Sequence, residues 1–182
     1  MTIENTQIKG LLLIRPDVFA DSRGYFFESF NQKKYSDAGI NSPFVQDNIS
    51  RSVKGTIRGL HYQVPPFEQG KLCSVIYGKV LDVALDIRFG SPTFGKHFAL
   101  ELSEENKTQL WIPPGFAHGF SVLSDIAIFS YKCSALYNKD AERSIIYNDP
   151  DLNIKWLAEF PVVSSKDLMA KSFKEIEKDF SY

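Results

Sequence analysis

Residues 79–88 read KVLDVALDIR, and apolar side chains occupy every second position of this stretch. The apolar positions are Leu81, Val83, Leu85 and Ile87. The positions between them include Asp82, Asp86 and Arg88. Successive side chains of a β-strand point to opposite faces, so a period of two predicts a half-buried strand. On this interpretation the two aspartates lie on the polar face.

The segments around this strand repeat the pattern. In residues 97–102 Phe98, Leu100 and Leu102 alternate with more polar side chains, and GLLLIR at 10–15 and YFFESF at 25–30 are further strand candidates. Turn residues separate these segments, namely Gly78, Gly90-Ser91-Pro92 and Pro113-Pro114-Gly115. Regularly spaced short strands predict a β-sandwich or barrel, such as a double-sheet jelly roll.

Two segments have a different period. Residues 31–38 are predicted to form a short helix, with Gly39 suited to the left-handed position after its end. Apolar residues recur at near-helical spacing in 164–180, and Ser164 followed by Asp167 resembles a capping box. We therefore expect a single domain over 1–182, with a β core at about 10–150 and a helical C-terminal extension at about 164–182.

Composition narrows the possible functions. The 182 residues carry a net charge of -1, without the basic excess typical of nucleic-acid binding. Cys73 and Cys133 lie in apolar, strand-like stretches, which predicts buried free thiols. The sequence begins without a basic segment followed by an apolar one, and no apolar run approaches the roughly 18 residues of a membrane span. A cytoplasmic protein is the default expectation.

His61 and His118 are the histidines with the strongest claim to a function. Each follows a glycine, in TIRGLHYQ and WIPPGFAHGF, where a barrel would present side chains at its mouth. A functional imidazole and one satisfied by backbone groups are equally compatible with this spacing, whereas His97 is predicted to be a solvated surface residue. Residues 113–118 also resemble half of the cupin metal signature. The second histidine of the other half is missing, so no metal site is predicted.

Without a metal, the remaining chemistry depends on acid–base groups and cations. Arginine and lysine side chains near strand ends or glycine turns are candidates for phosphate contacts: Arg23, Arg58, Lys71 and Lys132. Taken singly, each is better explained as a solvated surface charge. Walker-type and GxGxxG loops do not occur, so nothing supports ATP hydrolysis or a Rossmann dinucleotide site.

Nearly the whole chain resembles the dTDP-4-dehydrorhamnose 3,5-epimerase family. The matching stretches are DSRGYFFESF (21–30), FVQDNISRS (44–52), IRGLHYQ (57–63), QGKLCSVIYGKVLDVALDIRFGSPTFGK (69–96), ENKTQLWIPPGFAHGFSVLS (105–124), YKCSALYNKDAERSIIYNDPDLNIKW (131–156) and SSKD (164–167). The resemblance implies a cupin-like jelly roll, a homodimer without a metal or organic cofactor, and a dTDP-linked 4-keto-6-deoxysugar as substrate.

The resemblance also implies roles for individual residues. His61 matches the general base, Asp167 its carboxylate partner, and Tyr131 the general acid. Lys71 matches a lysine near the substrate carbonyl. The substrate-binding positions of the family match Arg23, Phe26, Glu28, Gln46, Asn48, Arg58, His118, Glu142 and Lys166.

These roles suit an epimerisation through an enolate. A hydrogen beside a ketone is weakly acidic, and histidine supplies a base with a pKa near neutrality. The expected reaction is inversion at C3 and C5 of dTDP-4-keto-6-deoxy-D-glucose in deoxysugar biosynthesis. The alternatives left open are a C3-only epimerase or ketoisomerase of the same fold, a metal-dependent cupin enzyme, and a non-catalytic sugar-binding jelly roll.

Overall fold

The computed structural model describes residues 1–182, and most of its regular structure is β. Fourteen strands follow one another along the chain: β1 (Thr2–Asn5), β2 (Leu12–Arg15), β3 (Val18–Asp21), β4 (Gly24–Phe27), β5 (Gln46–Val53), β6 (Thr56–Gln63), β7 (Lys71–Tyr77), β8 (Lys79–Asp86), β9 (His97–Ser103), β10 (Gln109–Ile112), β11 (Phe116–Val122), β12 (Ile126–Cys133), β13 (Glu142–Ser144) and β14 (Val162–Val163). The segments predicted as strands all carry strands, although several are shorter than expected.

The strands form two main sheets. The first has the order β1-β2-β10-β7-β12-β5, and the second has the order β13-β6-β11-β8-β9 with β14 parallel to β6. Strands β3 and β4 pair only with each other and form a separate hairpin. The neighbours within the main sheets are antiparallel except for β14, and the sheets do not close on each other. This arrangement confirms the predicted jelly roll.

Apolar side chains from both sheets fill the space between them. Val80, Ala84 and Phe120 of the second sheet meet Val75 and Phe129 of the first. Phe120 and Phe129 stack with ring centroids 4.3 Å apart. A second cluster lies on the outer face of the second sheet, where Leu81, Val83 and Leu85 pack with Leu152 and Trp156. The second sheet is therefore covered on both faces.

Because the second sheet is covered on both faces, strand β8 is more buried than the sequence predicts. The period of two is present, but the strand is buried on both faces, and Asp82 and Asp86 have no exposed area. Residues after β13 cover the apolar face, so the other face turns into the sandwich. Hydrogen bonds offset the burial at both oxygens of Asp86 and at one oxygen of Asp82. Asp82 contacts His118, and Asp86 accepts bonds from Arg88, Ser91 and Thr93.

The helices are short. Helix α1 covers Gln32–Asp37, within the predicted segment, and Gly39 follows it with a φ of 89°. The C-terminal extension is much less helical than predicted, because only α2 (Ser165–Leu168) and one 3-10 turn (Phe173–Glu175) form. Its apolar residues, among them Phe173, Ile176 and Phe180, pack onto the outer face of the second sheet. A segment that follows a sheet surface satisfies this packing without a continuous helix.

Other sequence expectations concern burial and membrane spans. Cys73 and Cys133 are buried free thiols, as predicted. None of the helices has the length and apolar composition needed to cross a membrane.

The Asp86 cluster provides a test of how the end of β8 is held. Burial by itself raises the pKa of the Asp86 carboxyl, but hydrogen bonds from Arg88, Ser91 and Thr93 outweigh burial and leave that pKa below its ordinary value. Asp86→Asn should therefore lower the free energy of unfolding at pH 7 by roughly 1–3 kcal/mol, measured by urea unfolding.

The pH dependence of this stabilisation follows from the lowered pKa of the Asp86 carboxyl. A carboxyl group whose pKa is lower in the folded than in the unfolded protein stabilises the fold at pH values above its unfolded-state pKa. This stabilisation is lost as the pH falls through the folded-state pKa. The difference between wild type and Asp86→Asn should therefore shrink between about pH 5 and pH 2. A difference that is constant over this range would contradict the assignment.

Candidate active site

A cavity of about 490 Å³ lies where the two sheets meet the segment 162–167. Strands β5, β7 and β12 of the first sheet and β6 and β11 of the second contribute to its wall. Its lining residues are Ser50, Thr56, Ile57, Arg58, His61, Lys71, His118, Phe120, Tyr131, Val162, Val163, Ser164, Lys166 and Asp167. A cavity of this size is in the range of small-molecule sites. A second cavity, of about 300 Å³, lies around Lys107 and Lys132 and includes no histidine.

His61 and Asp167 form a direct pair in the larger cavity. His61 lies within β6, and its Nε2 atom is 2.6 Å from Oδ1 of Asp167, 106 residues later in the chain. Asp167 is buried, and helix α2 holds it, with Ser164 accepting a hydrogen bond from the Asp167 amide at the start of the helix. Ser164 thus provides the predicted cap, while the Asp167 carboxylate points to the histidine.

The surroundings of Asp167 keep its carboxylate charged. Burial by itself raises the pKa of Asp167, but the hydrogen bond with His61, the charge of His61 and the backbone amide of Gly59 lower it below its ordinary value. An ionised carboxylate at this position orients the imidazole and stabilises its protonated form. The pair therefore has the arrangement of a general base with an orienting group.

Lys71 and Tyr131 line the cavity from the first sheet. Their strands β7 and β12 are neighbours, and Lys71 Nζ lies 5.9 Å from the centroid of the Tyr131 ring. Lys71 is largely buried, and its ammonium forms no hydrogen bond or ion pair within the chain. Burial raises the pKa of Tyr131 to about 12, so its phenol carries a proton throughout the neutral range. Both groups are thus available to donate hydrogen bonds or protons to a molecule in the cavity.

His118 lies beside His61 but in a more enclosed environment. The two histidines are opposite each other in the pairing of β11 with β6, and both lie within strands rather than at strand edges. His118 Nε2 is 2.8 Å from Oδ1 of the buried Asp82, and burial lowers the pKa of His118 below its ordinary value. Phe129 stacks on the imidazole with ring centroids 5.9 Å apart. His118 is therefore a fixed, neutral imidazole in the cavity wall.

Basic side chains lie on the remaining wall. Arg58 lines the cavity and donates from Nε to Ser52 Oγ at 3.2 Å. Lys166 also lines it and forms an ion pair of 2.5 Å with Glu142, which additionally accepts a hydrogen bond from Tyr137. Glu142 balances the charge of Lys166, whereas Arg58 has no carboxylate partner and provides a cation that suits an anionic ligand.

Seven predicted positions do not line this cavity, namely Glu142 and the six that follow. Arg23 pairs with Asp21 in the turn between β3 and β4, and its side chain is 88% exposed. Phe26 in β4 is 70% exposed, and Glu28 pairs with Lys34 of helix α1. Gln46 and Asn48 lie at the start of β5 and hydrogen-bond to each other at 3.0 Å. Lys132, a candidate for phosphate binding, pairs with Asp47 instead.

The structure also adds residues that the sequence did not single out. Ser50 lines the cavity, and its Oγ atom is buried without a hydrogen-bond partner. Gln46, Asn48 and Ser50 occupy every second position of β5, and this spacing in the sequence indicates that their side chains share one face. Phe120, Thr56, Val162 and Val163 also line the cavity, and no comparable sequence signal marks β14 as part of the wall. Tyr137 is a further addition through its contact with Glu142.

The arrangement of the central groups indicates acid–base chemistry on two faces of a substrate. His61 comes from one sheet and Tyr131 from the other, and both line the same cavity. A molecule held between them would have a base on one side and a protonated phenol on the other. Lys71 provides a cation for an oxygen that gains negative charge.

Comparisons with known proteins agree with this chemistry. The sequence profile of the family described as dTDP-4-dehydrorhamnose 3,5-epimerase matches residues 5–175. A protein of that name from Shigella flexneri is 51% identical over 178 residues, which cover 97% of this chain and 98% of the relative.

Solved structures extend the similarity to the fold. A dTDP-6-deoxy-D-glucose-3,5-epimerase from Legionella pneumophila, in complex with dTDP-4-keto-L-rhamnose, superposes with a TM-score of 0.96 at 52% identity, covering 100% of this chain and 98% of that one. A 3'-monoepimerase from Streptomyces bikiniensis, in complex with dTDP-quinovose, gives a TM-score of 0.87 at 33% identity, covering 92% and 85%. The chain has the cupin-like jelly roll of these enzymes and belongs to the dTDP-4-dehydrorhamnose 3,5-epimerase family.

Proposed function

We propose that this chain is an isomerase that inverts C3 and C5 of dTDP-4-keto-6-deoxy-D-glucose in dTDP-rhamnose-type biosynthesis. The observation that carries the proposal is the 2.6 Å pair of His61 and Asp167 in a cavity that also contains Tyr131 and Lys71. The similarity to an epimerase that binds dTDP-4-keto-L-rhamnose supports the choice of substrate.

The first step is removal of a proton from a carbon beside the ketone. His61 takes the proton as general base, and the ionised Asp167 stabilises the imidazolium that forms. The electrons of the broken C–H bond move into an enolate whose oxygen was the ketone oxygen. The free ammonium of Lys71 faces this oxygen and stabilises its charge. His118, as a neutral imidazole, accepts or donates a hydrogen bond to the sugar without adding charge.

The second step returns a proton to the opposite face of the same carbon. Tyr131 donates its phenolic proton, which inverts the configuration, and the enolate electrons restore the ketone. The phenolate recovers a proton from solvent or from His61 before the next turnover. The same two groups serve C3 and C5, since both carbons flank C4 and a rotated sugar presents each in turn.

Inversion at C3 alone is the second candidate, because the chain shares its fold with a 3'-monoepimerase. The two reactions use the same base and acid and differ in which carbons exchange. Proton NMR of the substrate with the enzyme in deuterium oxide separates them. Loss of the C3 and C5 proton signals is expected, and loss of the C3 signal alone would favour the second candidate.

The positions implied for nucleotide binding support a homodimer. Arg23 and Phe26 are exposed on the β3–β4 hairpin and do not line the cavity of their own chain. An apolar surface on the first sheet, made of Ile49, Val53, Ile76 and Tyr77, is also exposed. Packing this surface against a second copy would bury it. The hairpin of one subunit would then reach the cavity of the other and contribute a phosphate contact and a stacking ring.

The remaining expectations are part of the same proposal. Residues 1–182 form one domain, because the segment that supplies Asp167 packs Phe173, Ile176 and Phe180 onto the second sheet. The enzyme works in the cytoplasm, where reduced thiols such as Cys73 and Cys133 persist. Turnover requires no metal, since Asp167 already occupies Nε2 of His61 and Lys71 takes the role of an electrophile.

Substitution of the base pair tests its catalytic role. His61→Ala should abolish deuterium exchange and inversion while the protein remains folded. Asp167→Asn should reduce turnover by roughly 10²–10⁴-fold, because the imidazole loses its orienting charge. Ser172→Ala is the control, since it removes a cap from the same C-terminal segment without approaching the cavity. It should cost about 0.5–2 kcal/mol of stability and leave turnover per folded molecule unchanged. Equal activity of Asp167→Asn and the control would contradict the pair.

Substitution of Tyr131 separates proton removal from inversion. Tyr131→Phe keeps the ring and its packing but lacks the phenolic proton. The enolate should still form and be reprotonated by His61 on its original face. In deuterium oxide the variant should therefore incorporate deuterium at least tenfold faster than it forms inverted product, whereas the two rates are similar in wild type. Normal inversion by the variant would remove Tyr131 from the mechanism.

Complementation between an Arg23→Ala subunit and a His61→Ala subunit tests the homodimer and the hairpin together. Arg23→Ala should raise the KM, and His61→Ala should be inactive. A hybrid of the two contains one site with an intact cavity and an intact partner hairpin. Co-expressed variants should therefore regain up to about half of the wild-type activity per hybrid dimer at low substrate concentration, whereas a mixture of the separate homodimers should not. Absence of recovery in verified hybrids would show that Arg23 acts within its own subunit.

A further inference from the structure

Three side chains with metal-ligating atoms converge on the interior side of the cavity. His118 Nε2 lies 2.8 Å from Asp82 Oδ1 and 3.7 Å from Cys73 Sγ. The ligand atoms of the three residues are all within 4.8 Å of one another. Bonds from zinc to nitrogen, oxygen and sulfur measure about 2.0–2.3 Å, so two ligand atoms of a tetrahedral zinc ion lie about 3.3–3.8 Å apart. The three groups reach this spacing with only small shifts.

The three residues come from both sheets and are enclosed. Cys73 lies on β7 of the first sheet, and Asp82 and His118 lie on the neighbouring strands β8 and β11 of the second. Asp82 is opposite Phe120, which makes it a diagonal neighbour of His118. All three are buried, yet His118 also lines the cavity, which gives an ion a path from solvent.

One atom of the cluster lacks a partner. Asp82 Oδ2 is buried and forms no hydrogen bond, although Oδ1 of the same carboxylate contacts His118. A buried carboxylate oxygen without a partner is destabilising, and a cation is the ligand that relieves it most directly. The proton transfers of His61 and Tyr131 make no use of Asp82 or Cys73, so this oxygen has no role in them.

We propose that Cys73, Asp82 and His118 form a binding site for a thiophilic divalent cation such as Zn²⁺, and that its occupancy inhibits the enzyme. A thiolate and a carboxylate balance the two charges of the ion, and the imidazole adds a neutral nitrogen ligand. Thiolate and imidazole favour zinc and cobalt over magnesium and calcium. Three protein ligands leave a fourth position open for a water molecule.

Binding at this site changes the protonation of the cluster. Cys73 is a buried free cysteine, and a metal ion binds it as the thiolate. The incoming ion breaks the S–H bond, the proton passes to the buffer, and the sulfur lone pair forms the bond to the ion. His118 binds the ion through Nε2 as a neutral imidazole whose proton is on Nδ1. One proton is therefore released for each ion bound.

Lys71 works against a cation at this site. It lies two residues before Cys73 on β7 and lines the same cavity as His118. The charge of its ammonium repels a divalent ion and weakens binding relative to an isolated zinc site. Replacement of this ammonium by an apolar group, in Lys71→Met, should tighten metal binding. Lys71 is also the group expected to face the substrate carbonyl, so a neighbouring ion would disturb the cavity electrostatically.

The inhibitory role of the bound ion rests on the proposed function of the chain as an epimerase. An ion on His118 withdraws this imidazole from the sugar, and a water molecule on the ion enters the cavity. The ion also places positive charge beside His118, which is paired with His61 across the sheet. A positive charge near His61 disfavours its protonation and so weakens it as a base.

Cobalt spectroscopy tests the site without any substrate. Reduced, metal-free protein is titrated with Co²⁺, and absorption is recorded in the near-ultraviolet region, where a cobalt–thiolate bond gives a charge-transfer band. Wild type should show this band with a stoichiometry of one ion per chain. Cys73→Ala should lose the band and bind Co²⁺ at least about tenfold more weakly. Cys133→Ala is the matched control, because it removes the other buried thiol, and it should keep the band.

A second variant and a kinetic measurement complete the test. Asp82→Asn should also weaken Co²⁺ binding while circular dichroism remains native. Zn²⁺ should inhibit wild type, and Cys73→Ala should require at least tenfold more Zn²⁺ for equal inhibition. No band in wild type, or an unchanged band in Cys73→Ala, would overturn the site. Equal inhibition of both proteins would overturn the inhibitory role. Absence of turnover in metal-free wild type would instead contradict the proposed function and leave the spectral result standing.

Discussion

The hydrogen bond between His61 and Asp167 joins two parts of the chain that lie 106 residues apart in the sequence. His61 lies in the middle of a sheet strand, whereas Asp167 lies in a single helical turn of a mostly irregular segment. A distance of 2.6 Å between their side chains therefore depends on how firmly that segment is attached. A displacement of about 1 Å would be enough to weaken a catalytic pair.

Backbone contacts on both sides of Asp167 provide this attachment. Before it, β14 pairs with β6, the strand that carries His61. After it, the Ile146 amide donates to Lys171 and the Phe173 amide donates to the Asp149 carboxylate, at 2.8 Å and 2.7 Å. At the end of the chain, residues 180 and 182 exchange backbone hydrogen bonds with Phe89. The C-terminal segment thus acts as a strap whose many contacts hold one carboxylate in register with one imidazole.

The period of two along the chain predicted the strands, and the turn residues predicted where they end. The pattern could not predict which faces would be covered, because that depends on the C-terminal strap. Asp82 and Asp86 illustrate this limit. Their spacing predicts a solvent-exposed face, but both side chains are buried because the strap covers the opposite face of the sheet. The apolar spacing of 164–180 likewise indicated a buried face but not the backbone conformation that presents it. Spacing also could not predict the His61–Asp167 contact, since the two are 106 residues apart; only the resemblance to a family suggested it.

The interior of the sandwich explains why a fold with so many buried polar groups remains useful. Lys71, Asp82 and His118 lie between the sheets, where desolvation of each group is unfavourable. A core of apolar residues alone would be more stable, but it would provide neither a cation nor a fixed imidazole at the cavity. Because the two sheets are separate surfaces, one carries His61 and the other Tyr131, and under the proposed mechanism a sugar ring between them would meet a different group on each face. A single sheet or a helix surface would present both groups from the same side. The open sandwich is therefore the feature that makes inversion, rather than simple proton exchange, accessible to this chain.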